Sequence, residues 1–327
     1  MTASYLCTDL NRAQAPVAGM LARAVLLLSL LSSALASGAV RIPAAPVHTY
    51  SLSGLQAVRY DLPVPVLGRN VQIEVILPPG YSAKAKRRYA SLYINDGQDA
   101  GAVALKEALQ ALYGENRIAP VIVVAVSAPP DRMAVYGFSD RGKRQSLPAQ
   151  SRFGPVGANA HAYSDWLAGG LVPFIDSRYR TRAKPQARAI LGWSLGAASA
   201  FNIGWNYPET FSRVGGFSPS FWLSTVSGDA SGRLAPQLIA GKPMPKRFAV
   251  YLAAGTAEET DDRDGDGVID VLDDAQDVID ALSSKTRQPD RRHDFRLVRL
   301  DGGRHNQATW KLLLPGFLQW AYPVISR

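Results

Sequence analysis

Two kinds of hydrophobic spacing alternate along the chain from about residue 50 onward. The stretches LQAVRYDLPV (55–64) and RNVQIEVILP (69–78) alternate apolar and polar residues, as half-buried antiparallel strands do. YASLYIND (89–96) and PVIVVAVSA (120–128) are more continuously apolar, which is typical of interior parallel strands covered on both faces. The pattern therefore predicts antiparallel edge strands followed by a parallel core.

The remaining predicted strands are separated by segments with helical spacing. The strands are ARAILGWS, RVGGFSP, RFAVYLAAG and DFRLVRLDGG. The helices are AGAVALKEALQALYG, AYSDWLAGGLVPFIDSRY, LGAASAFNIGWNYP, DDAQDVIDALSSK and NQATWKLLLPGFLQWAYPVI. This alternation predicts an α/β fold with a mostly parallel central sheet and helices on both faces. Only residues 129–160 lack a regular pattern, and irregular stretches of that length usually carry function or are disordered.

Composition is consistent with one large domain. The chain has 327 residues, of which 47% are hydrophobic, and shows neither an internal repeat nor a linker. We therefore expect a single domain over residues 37–327. The formal charge is +9, but basic residues are scattered, with the densest run at 84–88. Net charge alone speaks to solubility and non-specific attraction, so we expect no nucleic-acid partner.

The N-terminus, residues 1–36, has the features of an export signal. Two arginines precede the apolar run at 24–31, and the small residues of ALAS predict cleavage before Ser37. The run is too short to span a bilayer comfortably, so we expect no stable membrane span, although an uncleaved anchor is the alternative. The only cysteine, Cys7, lies in this segment. We expect a periplasmic or secreted mature protein without disulfides.

A candidate nucleophile stands in GWSLG, residues 192–196, which matches G-x-S-x-G. An apolar strand pattern precedes Ser194 and a helical pattern follows it, which is the setting of a nucleophile elbow. The glycines suit a turn too sharp for a Cβ. Ser194 would then lie at a helix N-terminus, where the N–H of Leu195 is a candidate oxyanion donor. The alternative is a glycine-rich turn without chemistry.

The second oxyanion donor is expected in the loop after an earlier strand, at YINDGQDA (93–100). Gly97 and Gln98 both fit, and we take Gln98 as the candidate. The alternative is a simple strand-end turn at Asp96 and Gly97.

The candidate base follows from the positions of four histidines. Catalytic groups of open α/β sheets gather at the carboxyl ends of strands, and the order on this kind of fold is serine, acid, histidine. His48 and His161 precede Ser194, and His293 lies on the entry side of a predicted strand. His305 follows that strand, in LDGGRHNQATW, and meets both conditions.

The acid is expected after the strand RFAVYLAAG. Glu258, Glu259, Asp261 and Asp262 all follow it closely. A triad carboxylate orients the imidazole and stabilises its charged form, so it must lie near the strand end. This favours Glu258.

The next twelve residues, 262–273, match the calcium loop of an EF-hand. Gly267 occupies the sharp turn at position six, and Asp273 replaces the usual bidentate glutamate at position twelve. The predicted ligands are Asp262, Asp264, Asp266, the Val268 carbonyl, Asp270 and Asp273. Such a cluster is repulsive unless a divalent cation sits among the carboxylates.

The sequence around this loop limits its role. A strand and turn precede it in place of the usual entering helix, so we expect a lone, structural Ca²⁺ loop inserted at 261–274, which stiffens the turn that carries Glu258. The alternative is a solvated acidic loop that caps the following helix.

Several of these motifs together resemble the putative-esterase family of α/β-hydrolases. The family includes enterochelin and other siderophore esterases, feruloyl esterases, S-formylglutathione hydrolases and mycolyltransferases. The resemblance covers about residues 65–322 and rests on ILPPGY, LYINDGQD, AYSDWLAGGLVPFIDSRYRT, ILGWSLGAASAFNIGWNYPETFSRVGGFSPSFW, AAGTAEE and DGGRHNQATW. It implies an α/β-hydrolase fold and a Ser194–His305 pair with Glu258 as the acid. Some siderophore esterases of this family depend little on the acid, and the aspartate-rich insert departs from the family pattern.

We therefore expect an exported serine esterase that acts on a small-molecule ester, such as a siderophore or aryl ester. Trp193, Phe221 and Trp222 are candidates for an aromatic pocket, with core packing as the alternative. Basic residues of the irregular stretch are candidates for attracting an anionic substrate, with a solvated loop as the alternative. They are Arg132, Arg141, Lys143, Arg144 and Arg152. The competing functions are acyl transfer by the same triad and a non-catalytic, calcium-dependent binding protein.

Overall fold

The computed structural model describes residues 45–52, 54–151, 153–226, 230–286 and 294–324. These residues belong to one compact unit, 42–327. The predicted export signal at 1–36, with Cys7, lies outside the described residues, as do Arg152 and His293.

Thirteen strands and eight α-helices occur in the described part of the chain. The strands are β1 (Pro46–Leu52), β2 (Leu55–Val64), β3 (Arg69–Leu77), β4 (Ala90–Asn95), β5 (Val121–Val126), β6 (Phe138–Asp140), β7 (Gln145–Leu147), β8 (Ala149–Ser151), β9 (Gly154–Val156), β10 (Arg188–Trp193), β11 (Arg213–Phe217), β12 (Ala249–Gly255) and β13 (Phe295–Leu300). The helices are α1 (Leu105–Gly114), α2 (Arg132–Val135), α3 (Ala160–Trp166), α4 (Val172–Arg178), α5 (Leu195–Asn206), α6 (Leu234–Ala240), α7 (Asp270–Lys285) and α8 (Gln307–Ala321).

Nine strands form one central sheet in the order β1-β2-β3-β5-β4-β10-β11-β12-β13. Neighbours among β1, β2, β3 and β5 pair antiparallel. The pairs β5–β4, β4–β10, β10–β11, β11–β12 and β12–β13 are parallel. The prediction of a mostly parallel sheet with an antiparallel N-terminal edge is confirmed. Every residue of β4 and β5 is buried, as expected for interior strands covered on both faces.

Helices cover both faces of this sheet, which confirms the predicted α/β-hydrolase architecture. On one face, α1 and α8 pack a core that contains Leu109, Trp310 and Phe317. On the other face, helices α3 to α7 pack a larger core that contains Tyr163, Phe201 and others. Among the described residues, none of the helices has the length and apolar character that crossing a membrane requires.

The register of the parallel strands sets the position of the site. Trp193 at the end of β10 lies beside Phe217 of β11, and Phe217 lies beside Ala253 of β12. Gly255, which ends β12, lies beside Leu300 of β13. The segments that follow β10, β11, β12 and β13 therefore leave the sheet next to one another at its carboxyl edge.

Some elements differ from the sequence prediction. Residues 132–156, predicted to be irregular, form α2 and two small antiparallel pairs, β6–β7 and β8–β9. Their strands have three residues each, too short for an alternating pattern to show. Strand β1, which adds an edge to the sheet, and helix α6 were not predicted. Helix α7 begins at Asp270, three residues before the prediction, since its acidic first turn suits a helix N-terminus.

Candidate active site

Ser194 occupies a sharp turn between β10 and α5. Its φ of 56° and ψ of −126° are a strained conformation for a residue other than glycine. The flanking glycines are required by close backbone contacts. A Cβ on Gly192 would lie 2.2 Å from the carbonyl oxygen of Gly196, and a Cβ on Gly196 would lie 2.3 Å from Asp96 Oδ2. The strand–turn–helix setting and the steric role predicted for both glycines are confirmed.

Three predicted residues meet in one hydrogen-bonded chain at the carboxyl edge of the sheet. His305 Nε2 lies 3.1 Å from Ser194 Oγ, and His305 Nδ1 lies 2.9 Å from Glu258 Oε2. The Glu258 side chain is 1% exposed, whereas that of His305 is 42% exposed. The imidazole is thus held between a buried carboxylate and a hydroxyl that solvent can reach, in the geometry that activates a serine nucleophile.

The turn that carries Glu258 and the loop that carries His305 interlock. Ala257 N donates to Gly303 O at 2.9 Å, and Thr256 N donates to Leu300 O at 3.0 Å. A Cβ on Gly255 would lie 2.1 Å from Gly303 O, so neither glycine leaves space for a side chain. At Gly303 a glycine is required by this close approach, whereas Gly302 adopts the left-handed region at φ 66°.

The other predicted acid candidates take different partners. Glu259 Oε1 accepts a hydrogen bond from Val271 N at 2.7 Å, at the beginning of α7. Asp262 accepts from the N–H groups of Gly265 and Gly267. Among the four, Glu258 is the one in contact with His305. The remaining described histidines stand elsewhere, His48 on β1 and His161 in α3.

The two predicted oxyanion donors lie on different elements. Leu195 is the first residue of α5, and Gln98 lies in a 3₁₀ turn, Gly97–Asp99, just after β4. Within the described residues, no hydrogen bond engages the backbone N–H of either one. The Gln98 side chain is occupied, since Nε2 donates to Asp96 Oδ1 and Oε1 accepts from Ala128 N. Because these bonds hold the side chain, we take the backbone N–H of Gln98 as the candidate donor.

An ion pair supports the end of β4 and the 3₁₀ turn Gly97–Asp99 that follows it. This turn is called the oxyanion loop below, because it carries the predicted donor Gln98. Asp96 is 1% exposed and adopts a left-handed φ of 59°. Arg132 Nε and Nη2 bind its two carboxylate oxygens at 2.7 and 2.8 Å, and Nη2 also donates to Trp193 O at 3.3 Å. Burial opposes the charge on Arg132, but its hydrogen bonds and attraction to Asp96 outweigh this and raise the pKa of the guanidinium. The pair thus links the oxyanion loop to the residue before Ser194.

The proposed substrate-contacting side chains are mostly engaged within the protein. Trp193 and Phe221 are 1% and 0% exposed, so these two pack in the core, while Trp222 is partly buried. Arg132 is paired with Asp96, and Arg141 Nη1 pairs with Glu209 at 2.5 Å. Lys143 lies 3.8 Å from Asp140. These three basic residues are paired with carboxylates of the protein itself. The contacts therefore do not favour a role in attracting an anionic substrate.

The acidic loop brings three of its predicted ligands together. Asp262, Asp264 and Asp266 each offer a carboxylate oxygen within 4.8 Å of the others. Gly265 N and Gly267 N donate to the two oxygens of Asp262, and Val268 N donates to Asp266 Oδ1 at 2.8 Å. Gly267 adopts a φ of 90°, in keeping with the sharp turn expected at this position.

The two later aspartates are placed differently. Asp270 does not join the group, because Arg263 holds both of its oxygens, through backbone N at 2.8 Å and Nη1 at 2.9 Å. Asp273 also lies outside the group. Burial, followed by repulsion from Asp266, Asp264, Asp270 and Asp262, raises the pKa of Asp273 above its ordinary value.

Two residues of the site, Ser218 and Trp310, were not predicted from the sequence. Ser218 Oγ donates to Glu258 Oε1 at 2.6 Å, and Trp310 Nε1 donates to Ser218 Oγ at 2.8 Å. Ser218 lies near the carboxyl end of the predicted strand RVGGFSP, and this position at the sheet edge was an available signal. Nothing in the spacing indicated that its side chain meets an acid 40 residues later in the chain.

Comparison with known proteins places the chain in a family. The profile of the family described as "Putative esterase" matches residues 65–321. An uncharacterized protein, YbbA, of Bacillus subtilis (strain 168) is 24% identical over 161 residues, which are 48% of this chain. The aligned region spans 60% of the length of that relative.

Solved structures share the fold. A ferulic acid esterase superposes with a TM-score of 0.60 at 17% identity, over 82% of this chain and 97% of that one. The enterochelin esterase from Shigella flexneri superposes with a TM-score of 0.59 at 17% identity, over 86% of this chain and 58% of that one. From the extent of the profile match, the chain belongs to the "Putative esterase" family.

Proposed function

We propose that this protein is a serine esterase that hydrolyses a carboxylic ester through an acyl-enzyme. The observation that carries the proposal is the hydrogen-bonded chain of Ser194, His305 and Glu258, with Ser194 in a strained elbow at a helix N-terminus. Each of these residues follows a different strand, so the carboxyl edge of the sheet holds all three.

In the proposed mechanism Ser194 Oγ attacks the ester carbonyl while His305 Nε2 takes its proton. Glu258 holds the imidazole by Nδ1 and stabilises its charged form. The N–H groups of Leu195 and Gln98 donate to the oxyanion. His305 then gives the proton to the leaving alcohol. Water repeats the sequence on the acyl-enzyme, releasing the carboxylic acid and restoring Ser194.

The test is hydrolysis of 4-nitrophenyl acetate by the wild type, Ser194→Ala and Ser199→Ala. Ser199 is a matched control, since it lies on α5, is 1% exposed, and its Oγ has no hydrogen-bond partner in the described residues. We expect Ser194→Ala to lose about 10⁴-fold or more in kcat, and Ser199→Ala to retain activity. Equal turnover by Ser194→Ala and the wild type would overturn the proposal.

For the substrate we propose an ester whose acyl part carries an aromatic group. The support is the likeness in fold to a ferulic acid esterase and to an enterochelin esterase. The assay compares methyl ferulate, a catecholate siderophore triester and a straight-chain alkyl ester. Higher kcat/KM on either aromatic ester supports the proposal, and preference for the alkyl ester contradicts it. Adding an alcohol to the same assay distinguishes hydrolysis from acyl transfer, because transfer yields a new ester.

We further propose that the loop 262–273 binds Ca²⁺. Asp262, Asp264 and Asp266 fit the ion, since their oxygens converge and hard oxygen ligands are what Ca²⁺ prefers. Burial, followed by repulsion from the neighbouring aspartates, raises the pKa of Asp273. The ion would neutralise this repulsion. Asp270, held by Arg263, would contribute only after releasing that partner.

Contacts of the loop explain how the ion would affect the triad. Glu259, next to Glu258, accepts from Val271 N, so the turn that carries the acid is tied to the helix that ends the loop. Asp274 in that helix pairs with Arg263 of the loop. A rigid loop would therefore hold the Glu258 turn in place.

Thermal unfolding with Ca²⁺, Mg²⁺ or chelator tests this proposal. We expect Ca²⁺ to raise Tm by several degrees and Mg²⁺ to have little effect. Asp264→Asn should abolish the increase, whereas Asp280→Asn, an exposed control on α7, should preserve it. The same Tm with Ca²⁺ and with chelator would contradict the proposal.

We also propose that the protein is exported, with residues 1–36 as a cleaved signal. Support comes from the apolar run at 24–31 and the ALAS cleavage pattern. An exported protein meets higher calcium concentrations than a cytosolic one, which suits the weaker binding expected of Asp273 at position twelve.

A further inference from the structure

The carboxylate of Glu258 is held from two sides. Oε2 faces His305 Nδ1 at 2.9 Å. Oε1 accepts from Ser218 Oγ at 2.6 Å and from Gly255 N at 2.7 Å. A glutamate side chain has three rotatable bonds, so these two donors on Oε1 decide whether Oε2 points at the imidazole. One of them is a side chain that substitution can remove.

The direction of the Ser218 hydroxyl is fixed by Trp310. An indole N–H is a donor only, and Trp310 Nε1 lies 2.8 Å from Ser218 Oγ. Ser218 Oγ must therefore accept this bond. Its single hydrogen is left to point at Glu258 Oε1, and the residue is 1% exposed, so the hydroxyl is shielded from solvent.

The backbone of Ser218 is strained. Its φ of 48° is in the left-handed region, which glycine adopts freely and serine does not. The conformation is held by Ser218 N, which donates to Ala253 O at 2.7 Å across the end of the sheet. A glycine would adopt this φ with less strain, but it would lack the hydroxyl. Strain of this kind is characteristic of functional sites.

Trp310 connects this hydroxyl to the other parts of the site. Its ring meets the His305 ring edge-on, with centroids 5.5 Å apart, and stacks on Trp193 at 5.6 Å. Trp193 immediately precedes Ser194, and its Nε1 donates to Asp99 Oδ2 in the oxyanion loop at 2.9 Å. The buried serine is therefore packed into a rigid support shared by acid, base and nucleophile.

We propose that Ser218 is a positioning residue for the proposed esterase reaction: its hydroxyl, oriented by Trp310, fixes Glu258 so that the acid orients His305. Ser218 does not touch the substrate. The inference rests on the proposed function for its effect on rate, but its effect on the Glu258–His305 hydrogen bond can be observed without turnover.

Two substitutions separate positioning from structural support. Ser218→Ala removes the hydroxyl and keeps the strained φ, whereas Ser218→Gly removes the hydroxyl and relieves the strain. We expect both to lower kcat about 10- to 100-fold, the equivalent of one hydrogen bond to a charged group, with KM changed less than about two-fold. Tm should be higher for Ser218→Gly than for Ser218→Ala. Full kcat in Ser218→Gly would show a structural role and overturn the proposal.

A double-mutant cycle identifies the partner. If Ser218 acts through Glu258, then Ser218→Ala added to Glu258→Gln should cost no further kcat, whereas independent effects would multiply. Trp310→Phe keeps a ring and removes the N–H, so we expect a smaller loss than in Ser218→Ala. Multiplicative losses in the cycle would overturn the proposal.

A spectroscopic readout distinguishes failure of the inference from failure of the proposed function. The proton between His305 Nδ1 and Glu258 Oε2 should give a far-downfield ¹H NMR signal in the wild type, which shifts or disappears in Ser218→Gly. If the signal depends on Ser218 while no ester is hydrolysed, the positioning role holds and the esterase proposal fails. An unchanged signal in Ser218→Gly would overturn the positioning role whatever the activity.

Discussion

At the scale of single residues, two adjacent glutamates have different partners. Glu258 faces His305, and Glu259 accepts from the first turn of α7. Neighbouring side chains leave the backbone in different directions, so the turn after β12 directs Glu258 into the site and Glu259 toward the acidic loop at 262–273. The sequence favoured Glu258 on distance from the strand end alone, and the structure supplies the contact.

Glu258→Gln should lower kcat on the order of 10³-fold, because an amide does not stabilise the charged imidazole. Glu259→Gln, the matched control, should retain kcat within about three-fold, since an amide oxygen can still accept from Val271 N. Steady-state kinetics on 4-nitrophenyl acetate checks both. Equal losses in the two variants would contradict the assignment of the acid.

The sequence restricts a residue-level prediction most where chemistry and position limit the choice, and the structure brings the residues predicted in this way together. Ser194 stands in a motif with steric requirements, and His305 is restricted by chain order and sheet edge. Ser218 could not be predicted, because its role depends on where Trp310 and Glu258 meet in space. The Asp96–Arg132 pair could not be predicted either, because its two residues come from separate segments that meet only in the folded structure.

At the scale of elements, the elbow depends on backbone contacts that glycine alone permits. Gly196 abuts the Asp96 carboxylate, and Gly192 abuts the Gly196 carbonyl. The elbow, the oxyanion loop and the Asp96–Arg132 pair are therefore in direct contact. A side chain introduced at the elbow should disturb all three.

Gly196→Ala should lower kcat by about 10²-fold or more, the loss expected when one oxyanion donor is displaced, because its Cβ would push against Asp96. Gly101→Ala is the control, since nothing lies within 4 Å of a Cβ there. Activity and Tm of the two variants are compared. Full activity in Gly196→Ala would show that the elbow is not tightly packed against Asp96.

The predictability of an element follows its length and burial. Strands β4 and β5 were evident because six consecutive buried residues give a strong signal. Strands β6 to β9 have three residues each. They adopt strand conformation through tertiary contacts, so no local sequence pattern marks them. The start of α7 was missed because the ligand pattern of the acidic loop continues into its first turn.

At the scale of the whole molecule, one sheet edge collects the site. Ser194, Ser218, Glu258 and His305 follow four neighbouring parallel strands, so the fold alone brings them together. The global arrangement was predictable, since strand–helix alternation implies a parallel sheet whose carboxyl edge carries function. The substrate was not, because its contacts depend on loops without a sequence pattern.

The export proposal gives a prediction for the chain of residues 1–327. Expressed in a bacterium with residues 1–36 included, the protein should be recovered outside the cytoplasm with Ser37 as its first residue. Without Cys7 it should have the same Tm with and without reductant, because no cysteine remains. Intact mass and N-terminal sequencing check the cleavage. An uncut cytoplasmic protein would contradict the proposal.

The proposed reaction requires Ser194 to be the activated nucleophile, and mass spectrometry after treatment with a fluorophosphonate, which phosphonylates such a serine, measures this directly. We predict one adduct per chain, on the peptide that contains Ser194, formed by the wild type and Ser199→Ala but not by Ser194→Ala. His305→Ala should form it far more slowly, because the serine then has no base. An adduct on a different residue, or equal labelling of wild type and Ser194→Ala, would show that Ser194 is not the nucleophile.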